Sequence, residues 1–305
     1  MTKEQYMKNL TVPTGYVDVV LDTDTYNEID DQYALAYLLA SAEKLHVKAI
    51  YAAPFFNQKV HSVQEGMEKS YGEILNVLKL VGRDELSDIV YKGATEYLPD
   101  ETTPVPSDAV AHLIKLAKQY SPEHPLYVLG IGAITNIASA LLIDKTIAEN
   151  IVVVWLGGHS WENTDEKEFN MMQDVTAARV VFSSDVPLIQ LPCAGVVSAF
   201  TATEHELKYW LSGKNKLCDY LVNITCQEAN SYAKGKPWSR AIWDVTAVAW
   251  LLNENQQYMK TKIVKTKLPE YDGTYSTSEI EKYIGYVYFI RRDALMEDLF
   301  TKLTM

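Results

Sequence analysis

The chain has 305 residues, with 40 acidic against 28 basic side chains and a formal net charge of -12. That length buries a substantial core, as one large α/β domain or two smaller ones. The charge repels a phosphate backbone or an anionic membrane, which excludes nucleic acid and membrane surfaces as the main partner and favours a small neutral or cationic ligand, or one bound together with a metal.

Residues 1–16 are polar, without the apolar stretch of a signal peptide, and no later run is long enough to span a bilayer. Three cysteines, Cys193, Cys218 and Cys226, are too sparse for a disulfide framework and lack metal-type spacing, which fits a reducing, cytoplasmic setting. Short β-branched runs then alternate with longer patterns of helical period. Strands are expected near 17–22, 46–52, 88–92, 126–131, 151–156 and 186–191, and helices over 30–43, about 60–81, 107–119, from about 135, and 173–183. After about residue 203 the pattern turns mostly helical, through 204–212, 214–233 and 244–253, with a late strand near 283–290. Strand and helix alternation with continuously apolar strands implies an α/β fold: an open, mostly parallel, doubly wound (Rossmann-like) sheet with helices on both faces. No repeat or Pro/Gly/Ser-rich linker divides residues 1–305, so a single domain is expected.

In open α/β sheets ligands bind at the carboxyl ends of the strands, and the polar motifs fall there. The first strand discharges into Asp22-Thr-Asp24-Thr-Tyr-Asn-Glu28-Ile-Asp30-Asp31, five carboxylates inside ten residues. Crowded carboxylates raise one another's pKa unless a cation or a set of donors compensates them, and oxygen-only ligands select calcium or magnesium over zinc. Asp30 and Asp31 also suit a helix N-terminus, but capping leaves Asp22 and Asp24 unexplained. Asn57 follows the second strand, Gly130 to Asn136 the fourth, and Gly157-Gly158-His159 the fifth. Taken singly, Asn57 reads as a turn residue, the glycines as tight turns without dinucleotide-fingerprint spacing, and His159 as a hydrogen-bonded loop residue.

Four ordered motifs, Asp22-Thr-Asp24…Asp30-Asp31, Ile134-Thr135-Asn136, Glu168-Phe169-Asn170 and Trp243-Asp244, resemble the inosine-uridine-preferring nucleoside hydrolase family over about residues 17 to 253. The resemblance implies the nucleoside hydrolase fold and calcium-dependent hydrolysis of the N-glycosidic bond of ribonucleosides, giving free base and ribose, in purine or pyrimidine salvage. It implies a Ca2+ ion held by Asp24, Asp31, Asp244 and the backbone carbonyl of Ile131, with Asp24 as the catalytic base toward a metal-bound water. It further implies that Asp30, Asn57, Asn163, Glu168 and Asn170 hold the ribose, that Trp243 meets the base, and that the chain forms a homo-oligomer. Asp244 also reads as the N-cap of a helix, and Glu168 and Asn170 as a polar loop before one.

The chain departs from the family pattern in two places. Its first loop is two residues longer, adding Tyr26, Asn27 and Glu28 without an assigned role. Trp243 stands where the family carries the histidine proposed as acid for the departing base, so departure needs another acid, protonation of the base by solvent or loop residues, or stacking on the indole, with His159, Tyr26, Tyr232, Trp238 and Arg240 as neighbouring candidates. The sugar-binding Asn of the family falls on Glu162 without a gap and on Asn163 with one. Two alternatives remain open: a calcium-dependent ribonucleoside-binding protein with impaired catalysis, and a haloacid-dehalogenase-like phosphatase suggested by Val19 to Thr25. The phosphatase reading lacks the later Gly-Asp-x-x-x-Asp motif.

Overall fold

A computed structural model describes residues 1–305. Helix α1 (Lys3–Asn9), capped by the Thr2 hydroxyl, leads into the alternation β1 (Val17–Thr23), α2 (Asp30–Leu39), β2 (Leu45–Ala52), α3 (Val63–Val81), β3 (Val90–Lys92), α4 (Asp108–Ala117), β4 (Leu126–Gly130), α5 (Thr135–Ile143) and β5 (Ile151–Leu156). Then come α6 (Phe169–Gln173), α7 (Val175–Ser183), β6 (Leu188–Leu191), β7 (Thr201–Thr203), α8 (Glu204–Leu211), α9 (Lys216–Ala233), β8 (Ser239–Ala241) and α10 (Val245–Leu251). The chain closes with β9 (Met259–Pro269), β10 (Tyr275–Ile290) and α11 (Arg292–Leu303). No helix is long and apolar enough to cross a membrane.

Eight strands form one sheet in the order β3-β2-β1-β4-β5-β6-β10-β9, parallel throughout except for the β10–β9 pair, while β7 and β8 form a separate antiparallel ribbon. The expected doubly wound α/β sheet is thus present. Its strands are apolar on both sides because both faces are covered: Val19 and Leu21 of β1 pack among residues of α2, α3, α10 and α11, whereas Val20 between them faces α4, α5 and α7. Full burial of each such aliphatic side chain stabilises the fold by roughly 1.5–3 kcal/mol. Every residue of α2 is buried, since β2, α3, α10 and α11 surround it.

Several boundaries move for identifiable reasons. Helix α2 stops at Leu39, where the Ser41 hydroxyl donates to the Tyr37 carbonyl and a turn delivers the chain to β2. Helix α3 begins at Val63 rather than near 60, because the Ser62 hydroxyl accepts the Glu65 N–H at 3.0 Å and so caps it. The strand expected over 88–92 shrinks to Val90–Lys92, the preceding residues Asp84–Ile89 forming a 3-10 helix. The helix expected over 173–183 is two helices broken at Asp174, whose extended backbone (φ -148°, ψ 77°) lets its carboxylate cap α7 through the Ala177 N–H. The late strand is twice the expected length and pairs with β9, which the sequence pattern did not mark.

Candidate active site

The strand order reverses at β1, whose neighbours are β2 and β4, and the loops leaving β1 and β4 part there to leave a cleft of about 230 Å3 at the carboxyl ends of the strands. Asp24 follows β1 directly, is 1% exposed, and lies against the turn after β4. A Cβ on Gly132 would stand 3.0 Å from Asp24 Cγ and 3.2 Å from Ala53 Cβ, so a larger residue there would press on Asp24. Asp30 and Asp31 occupy the first turn of α2, whose N-cap Ile29 makes no side-chain cap, and Asp244 heads α10 without capping it either. Helix capping therefore does not account for these three acids. The Thr23 hydroxyl donates to Asp31 Oδ1, and the Asp244 N–H donates to Asp30 Oδ2 at 3.4 Å across 214 positions of sequence. Carboxylate oxygens of Asp30, Asp31 and Asp244 all lie within 4.8 Å of one another.

Burial dominates the electrostatics. It pushes the Asp31 carboxyl up to about 7, against the Thr23 and Asp244 hydrogen bonds that pull it down. Asp24, Asp30 and Asp244 are driven well above the usual carboxylate range, first by burial and then by neighbouring acids, Asp31 and Glu28 acting on all three. The basic side chain lining the cleft, Arg240, is paired with Glu28 at 2.6 Å and Glu228 at 3.1 Å. Its charge eases Asp30. Asp24 Oδ2 and Asp30 Oδ1 are buried without a hydrogen-bond partner, and no N–H takes the carbonyl of Ile131, which lines the same cleft. An oxygen-only donor set, rich in charge and short of protons or protein cations, fits a hard divalent ion.

Glu168 and Asn170 line the same cleft. Glu168 accepts from the N–H groups of Asn170 at 2.8 Å and of Met171 and Gly158 at 2.9 Å, yet burial still raises its carboxyl to about 6. Asn170 Nδ2 donates to the Leu156 carbonyl at 3.0 Å. Trp243 is half-buried and lines the cleft, as do His159 and Phe169.

Two expected sugar contacts sit elsewhere. Asn57 lies outside the lining, where its Nδ2 donates to Asn27 Oδ1 at 2.8 Å and its Oδ1 accepts the Lys59 N–H at 2.8 Å. Asn27 reaches the cleft in its place. Asn163 is exposed, because the loop after β5 turns its inward positions over to Glu166 and Glu168. Of the neighbouring candidates, Tyr26 is 40% exposed beneath Lys69, and Tyr232 and Trp238 do not line the cleft. Glu28, Arg240 and Cys193 do. Cys193 had a readable signal, since it follows β6 at the same edge of the sheet.

A family model described as inosine-uridine preferring nucleoside hydrolase matches residues 19–280. A curated relative, the probable uridine nucleosidase 2 of Arabidopsis thaliana, is 28% identical over 170 residues, which span 53% of this chain and half the length of that relative. Among solved structures, a purine-preferring ribonucleoside hydrolase from Gardnerella vaginalis superposes with a TM-score of 0.74 at 20% identity, covering 94% of this chain and 98% of that one. A plant nucleoside hydrolase superposes equally well, at TM-score 0.74 and 18% identity over 94% and 99% of the two chains. At those identities the structural likeness concerns the fold.

Proposed function

The chain belongs to the inosine-uridine preferring nucleoside hydrolase family, and on that premise we propose that it is a calcium-dependent hydrolase that cleaves ribonucleosides to free base and ribose. The observation that carries this reading is the buried set Asp24, Asp30, Asp31 and Asp244, with two unpartnered carboxylate oxygens beside the free Ile131 carbonyl. Asp24, Asp31, Asp244 and Ile131 are the proposed ligands, a set large enough in oxygen count for calcium once sugar hydroxyls and solvent join it. When bound, such an ion holds vicinal hydroxyls and makes nearby water more acidic.

The chain's own residues do the rest. Asp24 Oδ2 accepts a proton from the water that attacks the anomeric carbon. The glycosidic bond breaks with its electron pair going to the base, and the surrounding carboxylates stabilise the positive charge that develops on the sugar. Asp30 and Glu168 accept from ribose hydroxyls; Glu168 Oε1 is engaged by one N–H and retains a lone pair for this purpose. Asn170 and Asn27 complete the clamp, with Asn57 holding Asn27 in place. A substrate without the 2′-hydroxyl leaves buried polar groups unpaired and is disfavoured. The cleft is smaller than the roughly 300–1,000 Å3 usual for ligand pockets, so the sugar fills it and the base reaches the mouth, where Trp243 and Phe169 offer aromatic faces.

Purified protein incubated with purine and pyrimidine ribonucleosides and their 2′-deoxy counterparts, with reducing sugar as readout, tests this. Ribose release from ribonucleosides, lost in Asp24→Asn with the fold intact, is expected. Binding of ribonucleosides without sugar release would instead favour a binding protein, the reading that Trp243 in the acid position supports.

A further inference from the structure

Resting on the hydrolase reading above, we propose that His159 is the catalytic residue that assists departure of the base, its Nε2–H donating a hydrogen bond to the base as the glycosidic nitrogen gains the electron pair. Trp243 stands in the family's acid position and has no group that titrates near neutrality, so beside stacking on the indole and protonation by solvent the cleft has a place for a donor from another side chain. His159 follows β5 at the carboxyl edge of the sheet and lines the cleft together with Trp243 and Phe169.

The ring is held in one tautomer. The backbone N–H of Ala194 donates to His159 Nδ1 at 3.2 Å, so Nδ1 is the acceptor and the proton sits on Nε2, which has no acceptor within the protein. The backbone is held as firmly: the His159 N–H donates to Glu166 Oε2 at 2.7 Å, and the adjacent Gly158 N–H to Glu168 Oε2 at 2.9 Å. Gly158 has φ +76°, and a Cβ there would lie 2.5 Å from the Tyr275 hydroxyl and 2.8 Å from Glu166 Oε2. The turn is therefore restricted to glycine. Burial holds the ring's pKa below its ordinary value, against the opposing pull of Asp165, which keeps it neutral and a hydrogen-bond donor. Arg240, the other strong donor of the cleft, is already committed to Glu28 and Glu228.

The balance is complete without an external reagent. Water oxygen bonds to the anomeric carbon and gives its proton to Asp24; the carbon–nitrogen bond breaks, and the base leaves as an anion hydrogen-bonded to Nε2–H. Solvent then relays the proton from Asp24 to the base. A neutral imidazole in this role stabilises negative charge without itself being deprotonated.

Two substrates separate this from a structural role: inosine, whose base needs assistance, and 4-nitrophenyl ribofuranoside, whose leaving group departs unaided as a stable anion. The variants are His159→Asn, whose Oδ1 still accepts the Ala194 N–H, and His159→Ala. The expected result is a fall in kcat on inosine of about 100-fold or more in both, with the nitrophenyl substrate changed by less than about threefold. Equal losses on the two substrates, or inosine turnover at the wild-type rate in His159→Asn, would overturn the proposal. Wild-type protein that cleaves neither substrate would overturn the hydrolase reading itself, a result distinct from both.

Discussion

Asn136 joins three segments behind the cleft: its Nδ2 donates to Asp22 Oδ1 at 2.7 Å while its Oδ1 accepts the Ala94 N–H at 2.8 Å. The amide lies at the start of α5, Asp22 on β1, and Ala94 just past β3, so one side chain fixes the edge from which Asp24 emerges. Gly93 lets it fit, since a Cβ there would sit 2.4 Å from Asn136 Nδ2 and 2.1 Å from the Ala52 carbonyl oxygen. Asn136→Ala strands a buried carboxylate and a buried N–H, and we expect a loss of about 2–4 kcal/mol in urea unfolding. A change below about 0.5 kcal/mol, the range of ordinary surface substitutions, would deny Asn136 this role.

The hydroxyl of Thr23 orients Asp31 from outside the proposed ligand set. Thr23→Val preserves shape and removes the donor. Calcium affinity by calorimetry is expected to fall about 10- to 100-fold, the usual effect of deleting such a supporting contact. Unaltered affinity would show that Asp31 does not need the hydroxyl.

Acid–base linkage gives a third expectation. The Asp31 carboxyl titrates at 3.8 ordinarily and at about 7 in the folded chain. A folded pKa above the unfolded one means that the folded protein binds the extra proton, so this contribution to stability is full below about 3.8 and is lost as pH rises through about 7. Asp24, Asp30 and Asp244 shift in the same direction. A bound divalent ion replaces those protons, so calcium is expected to raise the thermal unfolding midpoint more at about pH 8 than at about pH 5. Saturation at 100 times Kd corresponds to about 2.7 kcal/mol. A calcium effect independent of pH would mean that the carboxylates are not what the ion meets.

Trp243 lines the cleft beside Asp244, so the two roles can be pulled apart by mutation. Trp243→Ala is expected to raise KM for nucleosides about tenfold, or ~1.4 kcal/mol, with calcium affinity unchanged. Collapse of calcium affinity with nucleoside preference intact would place the indole in the metal region instead.

The parallel strands were legible because strands covered on both faces read as unbroken apolar runs, as in Ile151 to Leu156. Strand β9 was not: Lys260, Lys262, Lys265 and Lys267 interrupt its apolar residues on a half-exposed sheet edge, so neither strand nor helix period stands out. Convergence was readable for Asp24, Asp30 and Asp31 from the carboxyl-edge rule and for Asp244 only from the family resemblance. The directions taken by loop side chains were not. Asn57 turns to Asn27 because the extra residues of the first loop rise to meet it, and Asn163 faces solvent because the Glu166 N–H is tied to the Gly273 carbonyl at 2.7 Å, at the tip of the unanticipated hairpin. Each depends on a contact between segments far apart in the chain, which no local pattern encodes.

In the proposed site, buried carboxylates from the two halves of the chain serve one ion that grips the sugar. Calcium titration into chelator-treated protein, followed by calorimetry and by ribose release from a ribonucleoside, addresses it directly. One ion per chain is expected, with hydrolysis that rises in step with occupancy, both lost in Asp244→Asn. Full hydrolysis in excess chelator, or an Asp244→Asn protein that binds calcium as the wild type does, would contradict it.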